Sequence, residues 1–244
     1  MGTLQGKQAF VTGGSRGIGA AIVRKLAEQG AEVTFTYASS TEVAERLADE
    51  LRQGGGKATA IRVDSAEAAL LVAAIDDAAA KHGRLDILVN NAGVIAKDGP
   101  DDLGLDTYDR LFAINVRAVY AAARAATRHM KPGASIVNVG SVVADRSGFP
   151  GATLYSASKG AVQSMTRGLA RDLGPLGITV NNVQPGPIGT DMNPEEAREM
   201  LSGLIAQGRI GESAEVASVV AFLAGPEARF VHSASLTVDG GYLA

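Results

Sequence analysis

Short runs rich in β-branched and aromatic residues alternate along this chain with longer segments of helical character. Strand character is found at residues 7–12, 31–38, 57–64, 84–91, 134–141, 177–185 and 235–241. Helices are predicted between them at residues 17–30, 41–53, 66–82, 106–130, 152–173, 195–206 and 213–224. Because strands that alternate with helices are joined by right-handed crossovers, this pattern predicts a parallel sheet.

Several strand segments are continuous apolar runs, which are typical of strands covered by helices on both faces. We therefore predict an α/β fold of the Rossmann type, a doubly wound, mainly parallel seven-stranded sheet with helices on both faces. No repeat or low-complexity linker interrupts the 244 residues, so residues 1–244 are expected to form a single domain. Ligands of such sheets bind beyond the carboxyl ends of the strands, and functional residues are expected there.

Composition excludes several classes of function. The net charge is −3, so no polyanionic partner such as nucleic acid is favoured. The chain has no cysteine, which excludes disulfide, thiolate and Cys-zinc chemistry. The N-terminus lacks the features of a secretory signal, and no run of about 18 apolar residues predicts a membrane span. We expect a cytoplasmic protein without a nucleic-acid or membrane partner.

A glycine-rich turn follows the first strand and precedes the first helix. The cofactor contacts expected in this turn are Gly13, Ser15, Arg16, Gly17, Ile18 and Gly19. Glycines let the backbone approach a pyrophosphate, and the following helix offers it free N–H groups. The spacing G-x-x-x-G-x-G differs from the common dinucleotide fingerprint. The interpretation as a nucleotide site therefore depends on the position of the turn between strand and helix.

The end of the second strand favours NADP(H) as the cofactor. An NAD site places an acidic residue there to accept a hydrogen bond from the ribose 2′-hydroxyl. This chain instead has Ala38, Ser39 and Ser40. Arg16 can face a 2′-phosphate, and the two serine hydroxyls can donate hydrogen bonds to it. The serines can also cap the helix that begins at residue 41, and the two roles are compatible.

Tyr155 and Lys159 are four residues apart, which places them on one face of a helix. A free tyrosine has a pKa of about 10, and a nearby ammonium is expected to stabilise its phenolate. Such a pair in isolation more often lies on a solvated surface. Ser141 changes this interpretation because it directly follows the fifth strand, where its hydroxyl can hydrogen-bond a substrate oxygen. Alone, this serine is better explained as a turn cap. We predict that Tyr155 is the acid/base of the reaction.

The ordered motifs resemble those of the short-chain dehydrogenase/reductase family. They are TGGSRGIG (12–19), NNAG (90–93), Asn115, Ser141, YSASK (155–159) and PGPIGT (185–190), and they span essentially the whole chain. The resemblance implies a catalytic tetrad of Asn115, Ser141, Tyr155 and Lys159. In that tetrad Asn115 would hold a water that relays protons from Lys159. Asn115 can alternatively be a residue that kinks a long helix.

The resemblance also implies cofactor contacts outside the glycine-rich turn. These are Ala38, Ser39, Ser40, Asp64, Ser65, Asn91, Ala92, Gly93, Tyr155, Lys159, Pro185, Gly186, Ile188 and Thr190. Within this set Asp64 would contact the adenine ring, and residues 185–190 would surround the nicotinamide carboxamide. The family uses no catalytic metal, and it tends to form homotetramers through its two long helices, here residues 106–130 and 152–173.

Two segments, residues 142–154 and 189–205, are expected to wall the substrate pocket, and a lid is expected around residues 189–207. The side chains predicted to form its apolar lining are Val142, Val143, Phe149, Leu154, Met192, Met200 and Leu204. The resemblance implies NADPH-dependent, reversible reduction of a ketone or 3-oxo compound to a secondary alcohol, and this apolar lining favours hydrophobic substrates. Asp145 and Arg146 either add polar selection or face solvent.

A second class of function is a binding protein. Segments such as GGSRGIGAAIVR, FTYASS and VQPGPIGTDMNP resemble a bacterial cyclic-di-GMP-binding regulator of the same fold. In this alternative the nucleotide site senses its ligand with little turnover. The complete tetrad favours an enzyme, because a binding protein needs the glycine-rich turn but not a tyrosine, lysine and serine in register.

Overall fold

The computed structural model describes residues 2–96, 104–193 and 195–244. The strands are β1 (Gln8–Val11), β2 (Glu32–Tyr37), β3 (Lys57–Arg62), β4 (Ile87–Asn90), β5 (Ser135–Val139), β6 (Thr179–Pro185) and β7 (Ser235–Val238). The α-helices are α1 (Gly17–Glu28), α2 (Thr41–Gln53), α3 (Ala68–His82), α4 (Leu105–Phe112), α5 (Ala118–Thr127), α6 (Thr153–Leu173), α7 (Glu195–Ser202) and α8 (Ser213–Ala224).

The strands form one sheet in the order β3-β2-β1-β4-β5-β6-β7, and every neighbouring pair is parallel. The predicted doubly wound fold is confirmed. The direction in which strands are added reverses between β1 and β4, so a crevice opens there at the carboxyl ends of the strands. All motifs singled out after β1, β4 and β5 therefore reach the same edge of the sheet.

The core consists of two apolar layers, one on each face of the sheet. Helices α1, α2 and α8 cover one face, and α3, α5 and α6 cover the other. Successive residues of a strand point to opposite faces. In β5, for example, Ile136 packs with α3, α5 and α6, whereas Val137 packs with α1, α2 and α8. This arrangement explains why the strands are apolar without alternation.

One predicted element differs in form. The segment predicted as a single helix over residues 106–130 consists of α4, a π-helical turn (Ala113–Arg117) and α5. A π turn inserts one extra residue into a helix and occurs often at functional sites. Here it carries Asn115, whose side chain is buried and bonded to distant backbone. A single inserted residue hardly changes the hydrophobic period, so the sequence pattern did not reveal it.

Other predicted elements form with ends that differ by a few residues, which is the usual uncertainty of helix and strand boundaries. In residues 2–96, 104–193 and 195–244, no helix combines the length and apolar character needed to cross a membrane.

We expect Ile136→Ala to destabilise the fold strongly. Ile136 is fully buried in β5, between β4 and β6, and truncation of such a side chain costs about 2–5 kcal/mol. Urea denaturation should give a lower midpoint with an unchanged slope. The control is Val43→Ala on α2, where the side chain is 45% exposed; its free energy of unfolding should stay within about 0.5 kcal/mol of wild type. Equal midpoints for the two variants would contradict this description of the core.

Candidate active site

The turn between β1 and α1 leaves the first N–H groups of α1 available. Arg16 is the N-cap residue, and its side chain forms no capping hydrogen bond with that first turn. An anion there would be bound by these N–H groups and by the positive end of the helix dipole. Gly13 and Gly17 have φ angles of 66° and 53°, in the left-handed region that favours glycine. The turn thus fits the pyrophosphate expected from the sequence.

The segment that follows β4 holds this glycine-rich turn in place. Asn91 donates from Nδ2 to the carbonyl oxygens of Thr12 at 3.1 Å and Gly13 at 2.9 Å. Thr12 Oγ1 accepts from the backbone N–H groups of Asn91 and Ala92, both at 3.0 Å. A Cβ atom at Gly19 would overlap the Gly13 carbonyl oxygen and lie 2.5 Å from Asn91 Nδ2. Gly19 therefore has to be glycine for this packing to form.

Residues 38–40 form the corner beyond β2, and they lie beside the guanidinium of Arg62, which was not predicted from the sequence. Arg62, the last residue of β3, donates from Nε to the carbonyl oxygen of Ala38 at 3.2 Å. Ser40 is the N-cap residue of α2, but its side chain makes no capping hydrogen bond. Arg16 pairs instead with Asp191, at 3.3 Å, and both side chains are exposed. The available signal for Arg62 was its position at the end of the strand that neighbours β2.

Asp64, just beyond β3, is held as a carboxylate. Its Oδ1 accepts from the Ala66 N–H at 2.9 Å, and its Oδ2 lies 3.1 Å from Arg110 Nη2. The Ala66 hydrogen bond and the Arg110 guanidinium keep the pKa of Asp64 below its usual value, against the effect of burial. At neutral pH this side chain is a hydrogen-bond acceptor, as contact with an adenine amino group requires.

The loop from β6 lies next to the glycine-rich turn. A Cβ atom at Gly17 would lie 3.3 Å from Thr190 Cγ2. Ile188 is buried, and Gly186 packs closely against Asp239 just after β7. The residues predicted to surround the nicotinamide carboxamide therefore lie in the same crevice as the glycine-rich turn.

Lys159 is buried beneath the crevice on α6. Its Nζ donates to the carbonyl oxygen of Val139 at 3.0 Å and lies 5.7 Å from the centroid of the Tyr155 ring. Burial lowers the pKa of Lys159 to about 8. The ammonium form therefore still predominates at pH 7, and the side chain loses its charge as the pH rises through 8.

The pKa of Tyr155 differs in direction from the sequence-based expectation. Burial raises it above the usual value of 10, and a hydrogen bond with the Ser141 side chain opposes this rise. The Lys159 ammonium was expected to stabilise the phenolate, but the net pKa of the phenol rises in this structure because loss of solvation is the larger effect. A phenol with a raised pKa keeps its proton at neutral pH, and this suits a proton donor.

Ser141 is the turn cap that its position suggested, and its hydrogen bond to a substrate oxygen stays a prediction. It is the N-cap residue of a 3₁₀ turn (Val142–Ala144), and its Oγ accepts from the Val143 N–H at 3.3 Å. Its side chain also opposes the rise that burial causes in the pKa of Tyr155. The cap fixes the backbone of Ser141, so the hydroxyl reaches the phenol from a constrained position.

Asn115 links the segment that follows β4 to helix α6 through side-chain hydrogen bonds. Its Nδ2 donates to the Val94 carbonyl oxygen at 2.9 Å and to Ser158 Oγ at 3.0 Å, and its Oδ1 accepts from the Val94 N–H at 2.9 Å. Ser158 in turn donates to the Tyr155 carbonyl oxygen at 2.8 Å. A Cβ atom at Gly93 would lie 3.4 Å from Lys159 Nζ. Ser158 was not identified as a site residue, although it directly precedes Lys159 in the motif.

The residues predicted to line the substrate pocket differ in how far the structure buries them. Val142 and Val143 are buried, and Phe149 is 36% exposed. Met192, Met200 and Leu204, all in the predicted lid, have exposed side chains. Leu154 is partly buried. The first segment thus supports the turn after β5, and the second presents apolar side chains outward.

The fold and this set of side chains define a class of protein, a Rossmann-type dinucleotide-binding oxidoreductase. Comparison with known proteins identifies the family. Residues 13–243 match the family model described as Enoyl-(Acyl carrier protein) reductase. The chain belongs to the short-chain dehydrogenase/reductase family.

Three relatives show how close the similarity is. The cyclic-di-GMP-binding biofilm dispersal mediator protein of Escherichia coli is 50% identical, with 99% of both chains covered. A probable tetrahydroxynaphthalene reductase of Zymoseptoria tritici is 38% identical, with 97% of this chain and 94% of that protein covered. A short chain dehydrogenase from Burkholderia cenocepacia, solved in complex with NADP, is 48% identical with a TM-score of 0.97, covering 99% of this chain and 100% of that one. That complex agrees with the cofactor predicted from the sequence.

We expect Gly19→Ala to weaken NADPH binding by about tenfold or more, because the added methyl group displaces either the Gly13 carbonyl or Asn91. Fluorescence titration with NADPH measures this change, and the chain has no tryptophan to interfere. The matched control is Gly54→Ala, where an added Cβ meets no atom closer than 3.5 Å. Unchanged affinity in Gly19→Ala would argue against the turn as the pyrophosphate site.

Proposed function

We propose that this protein is an NADPH-dependent carbonyl reductase that converts a ketone or 3-oxo compound reversibly into a secondary alcohol. The observation that carries the proposal is the environment of the Tyr155 phenol. Burial favours its protonated form, the Ser141 hydroxyl interacts with it, and the Lys159 ammonium lies one helical turn away. These are the groups needed to give a proton to a carbonyl oxygen.

Each side chain has a distinct part in the proposed reaction. NADPH, when bound, supplies the hydride that reduces the carbonyl carbon. The Ser141 hydroxyl holds the substrate oxygen by hydrogen bonding and stabilises its developing charge. Tyr155 donates its proton to that oxygen, and the Lys159 ammonium stabilises the phenolate that remains. In the oxidation direction the phenolate removes the alcohol proton. Asn115 would then connect Lys159 to solvent through a water.

The cofactor proposal assigns residues along the crevice. The glycine-rich turn and the first turn of α1 would bind the pyrophosphate. Asp64 and Ser65 would contact the adenine, and Lys159 would bind the nicotinamide ribose. The remaining residues proposed to contact the cofactor are Ala38, Ser39, Ser40, Asn91, Ala92, Gly93, Pro185, Gly186, Ile188 and Thr190. The NADP complex of the similar Burkholderia protein supports this proposal.

We propose residues 189–207 as the substrate lid. The exposed apolar side chains of Met192, Met200 and Leu204 would be buried against a hydrophobic substrate when this segment closes. Methionine side chains are flexible and suit ligands of irregular shape.

We also propose that the protein assembles into a homotetramer through the two long helical segments. Most alanines of α5 are buried in the core of the subunit, so such an interface would use exposed side chains of this helix such as Tyr120, which is 52% exposed.

The alternative function is nucleotide sensing. It is favoured by the 50% identity to the Escherichia coli protein, which is named for cyclic-di-GMP binding. A sensor would use the glycine-rich turn and the corner beyond β2, and it would not depend on the proton of Tyr155. The role of Tyr155 therefore separates the two proposals.

We expect Tyr155→Phe to abolish NADPH consumption with a panel of hydrophobic ketones, because loss of the general acid costs roughly 10²–10⁴-fold in rate. The Kd for NADPH should change little, and it should be measured on the same preparation. The control is Tyr120→Phe, which removes a phenol hydroxyl outside the proposed site. If the wild-type protein reduces none of the ketones but binds NADPH and cyclic-di-GMP, the sensor is the better description.

We expect kcat/KM to be higher with NADPH than with NADH. Arg16→Ala and Arg62→Ala should each lower the affinity for NADPH by about tenfold, since each removes a charged partner of the 2′-phosphate. Neither variant should alter NADH binding. The control is Arg24→Ala, whose guanidinium pairs with Glu50 on α2. A preference for NADH in the wild-type protein would overturn the cofactor proposal.

A further inference from the structure

We propose that Gln184 and Asp145 form a clamp that positions the Ser141 hydroxyl against Tyr155. This inference rests on the proposed function of Ser141 and Tyr155. Neither Gln184 nor Asp145 belongs to the tetrad, and their place in the site follows from contacts between segments distant in the chain.

Gln184 on β6 supplies the hydrogen-bond donors of the clamp. It is almost completely buried, with a relative exposure of 1%. Its Nε2 donates to the Ser141 carbonyl oxygen at 3.2 Å and to Asp145 Oδ2 at 2.9 Å. One amide group thus holds both ends of the turn that contains Ser141, because Ser141 precedes this turn and Asp145 follows it.

An amide is well suited to this position. A glutamine NH₂ group has two N–H donors, and here both acceptors belong to the same short turn. Leucine has a similar volume but no donor, so it would leave a buried carbonyl oxygen without one of its partners. The Ser141 carbonyl would keep only the bond from the Ala144 N–H at 3.1 Å.

The other buried amides of β6 serve a different purpose. Asn181 donates to the Val231 carbonyl oxygen at 2.8 Å, and Asn182 donates to Ser235 Oγ at 3.2 Å. Both contacts lie toward the β7 side of the sheet. Gln184 is thus the β6 amide among the described residues that bonds to the turn after β5.

Displacement of this turn would change the chemistry at Tyr155. The hydrogen bond from Ser141 opposes the rise in the pKa of the phenol that burial causes. Displacements of about 1 Å can cost about 10²-fold in rate when a reacting group is involved. Lys159 on α6 is a charged group beside the phenol, with its Nζ 5.7 Å from the centroid of the Tyr155 ring. Loss of the clamp should therefore lower turnover and make the phenol harder to ionise.

Asp145 also offers a matched control. Its Oδ1 accepts from Gln163 Nε2 on α6 at 2.9 Å, and this hydrogen bond is exposed. Gln163→Leu thus removes an amide hydrogen bond to the same carboxylate without a direct effect on Ser141. An exposed hydrogen bond of this kind contributes little to the position of the turn. Gln184 is buried in the sheet and bonds the turn directly.

The experiment compares Gln184→Leu with Gln163→Leu. For Gln184→Leu we expect kcat for ketone reduction to fall about tenfold or more, with the Kd for NADPH unchanged. Ultraviolet difference titration against Tyr155→Phe should show the apparent pKa of the Tyr155 phenol raised by about 0.5–1. The chain has five tyrosines and no tryptophan, so this difference signal can be resolved. Gln163→Leu should match wild type in both measurements.

Asp145→Ala keeps the inference testable if Gln184→Leu fails to fold, since Asp145 is exposed. It should lower kcat in the same direction, and its effect should not add to that of Gln184→Leu in the double variant. Wild-type kcat and phenol titration in both variants would overturn the clamp, as would an equal loss in Gln163→Leu. If the wild-type protein reduces no ketone, the proposed function fails, but the phenol titration still decides whether the clamp exists.

Discussion

The buried ammonium of Lys159 is the constraint on which the site depends. A charge taken out of water requires compensating partners, and here the Val139 carbonyl oxygen and the Tyr155 ring provide them. Val139 is the last residue of β5, and α6 is the helix that follows the turn after β5. The connection between strand and helix thus brings the carbonyl, the ammonium and the phenol together. Gly93 leaves the space beside Lys159 Nζ that this arrangement needs.

Buried asparagine side chains beneath the site link β4 to β5 and β5 to α6. Asn90, Asn138 and Asn182 are direct neighbours across β4, β5 and β6. Asn90 donates to Asn138 at 2.9 Å, and Asn138 donates to Thr166 on α6 at 2.9 Å. A slip of β4 against β5 would break the bond between Asn90 and Asn138, which is costly in a buried site. The same helix that carries Tyr155 and Lys159 is therefore tied to the sheet at a second point.

Most of the fold could be predicted because it rests on local periodicity. Strands buried on both faces are continuous apolar runs, and the helices between them give parallel crossovers. The π turn at Asn115 could not be predicted, since the Asn115 side chain bonds there to Val94, in a segment that follows another strand and is distant along the chain. The order of motifs likewise identified Asn115, Ser141, Tyr155 and Lys159 as candidates, while their roles in the reaction stay predictions.

The sequence by itself determined the doubly wound sheet, the glycine-rich turn before α1 and the absence of an acidic residue at the end of β2. These depend on residues close together in the chain. Only the tertiary structure decided the direction of the Tyr155 pKa, the contact of Arg62 with Ala38 and the bonds of Gln184 to the Ser141 turn. The physical reason is that desolvation and buried hydrogen bonds depend on which distant atoms surround a group, and spacing along the chain does not specify those atoms.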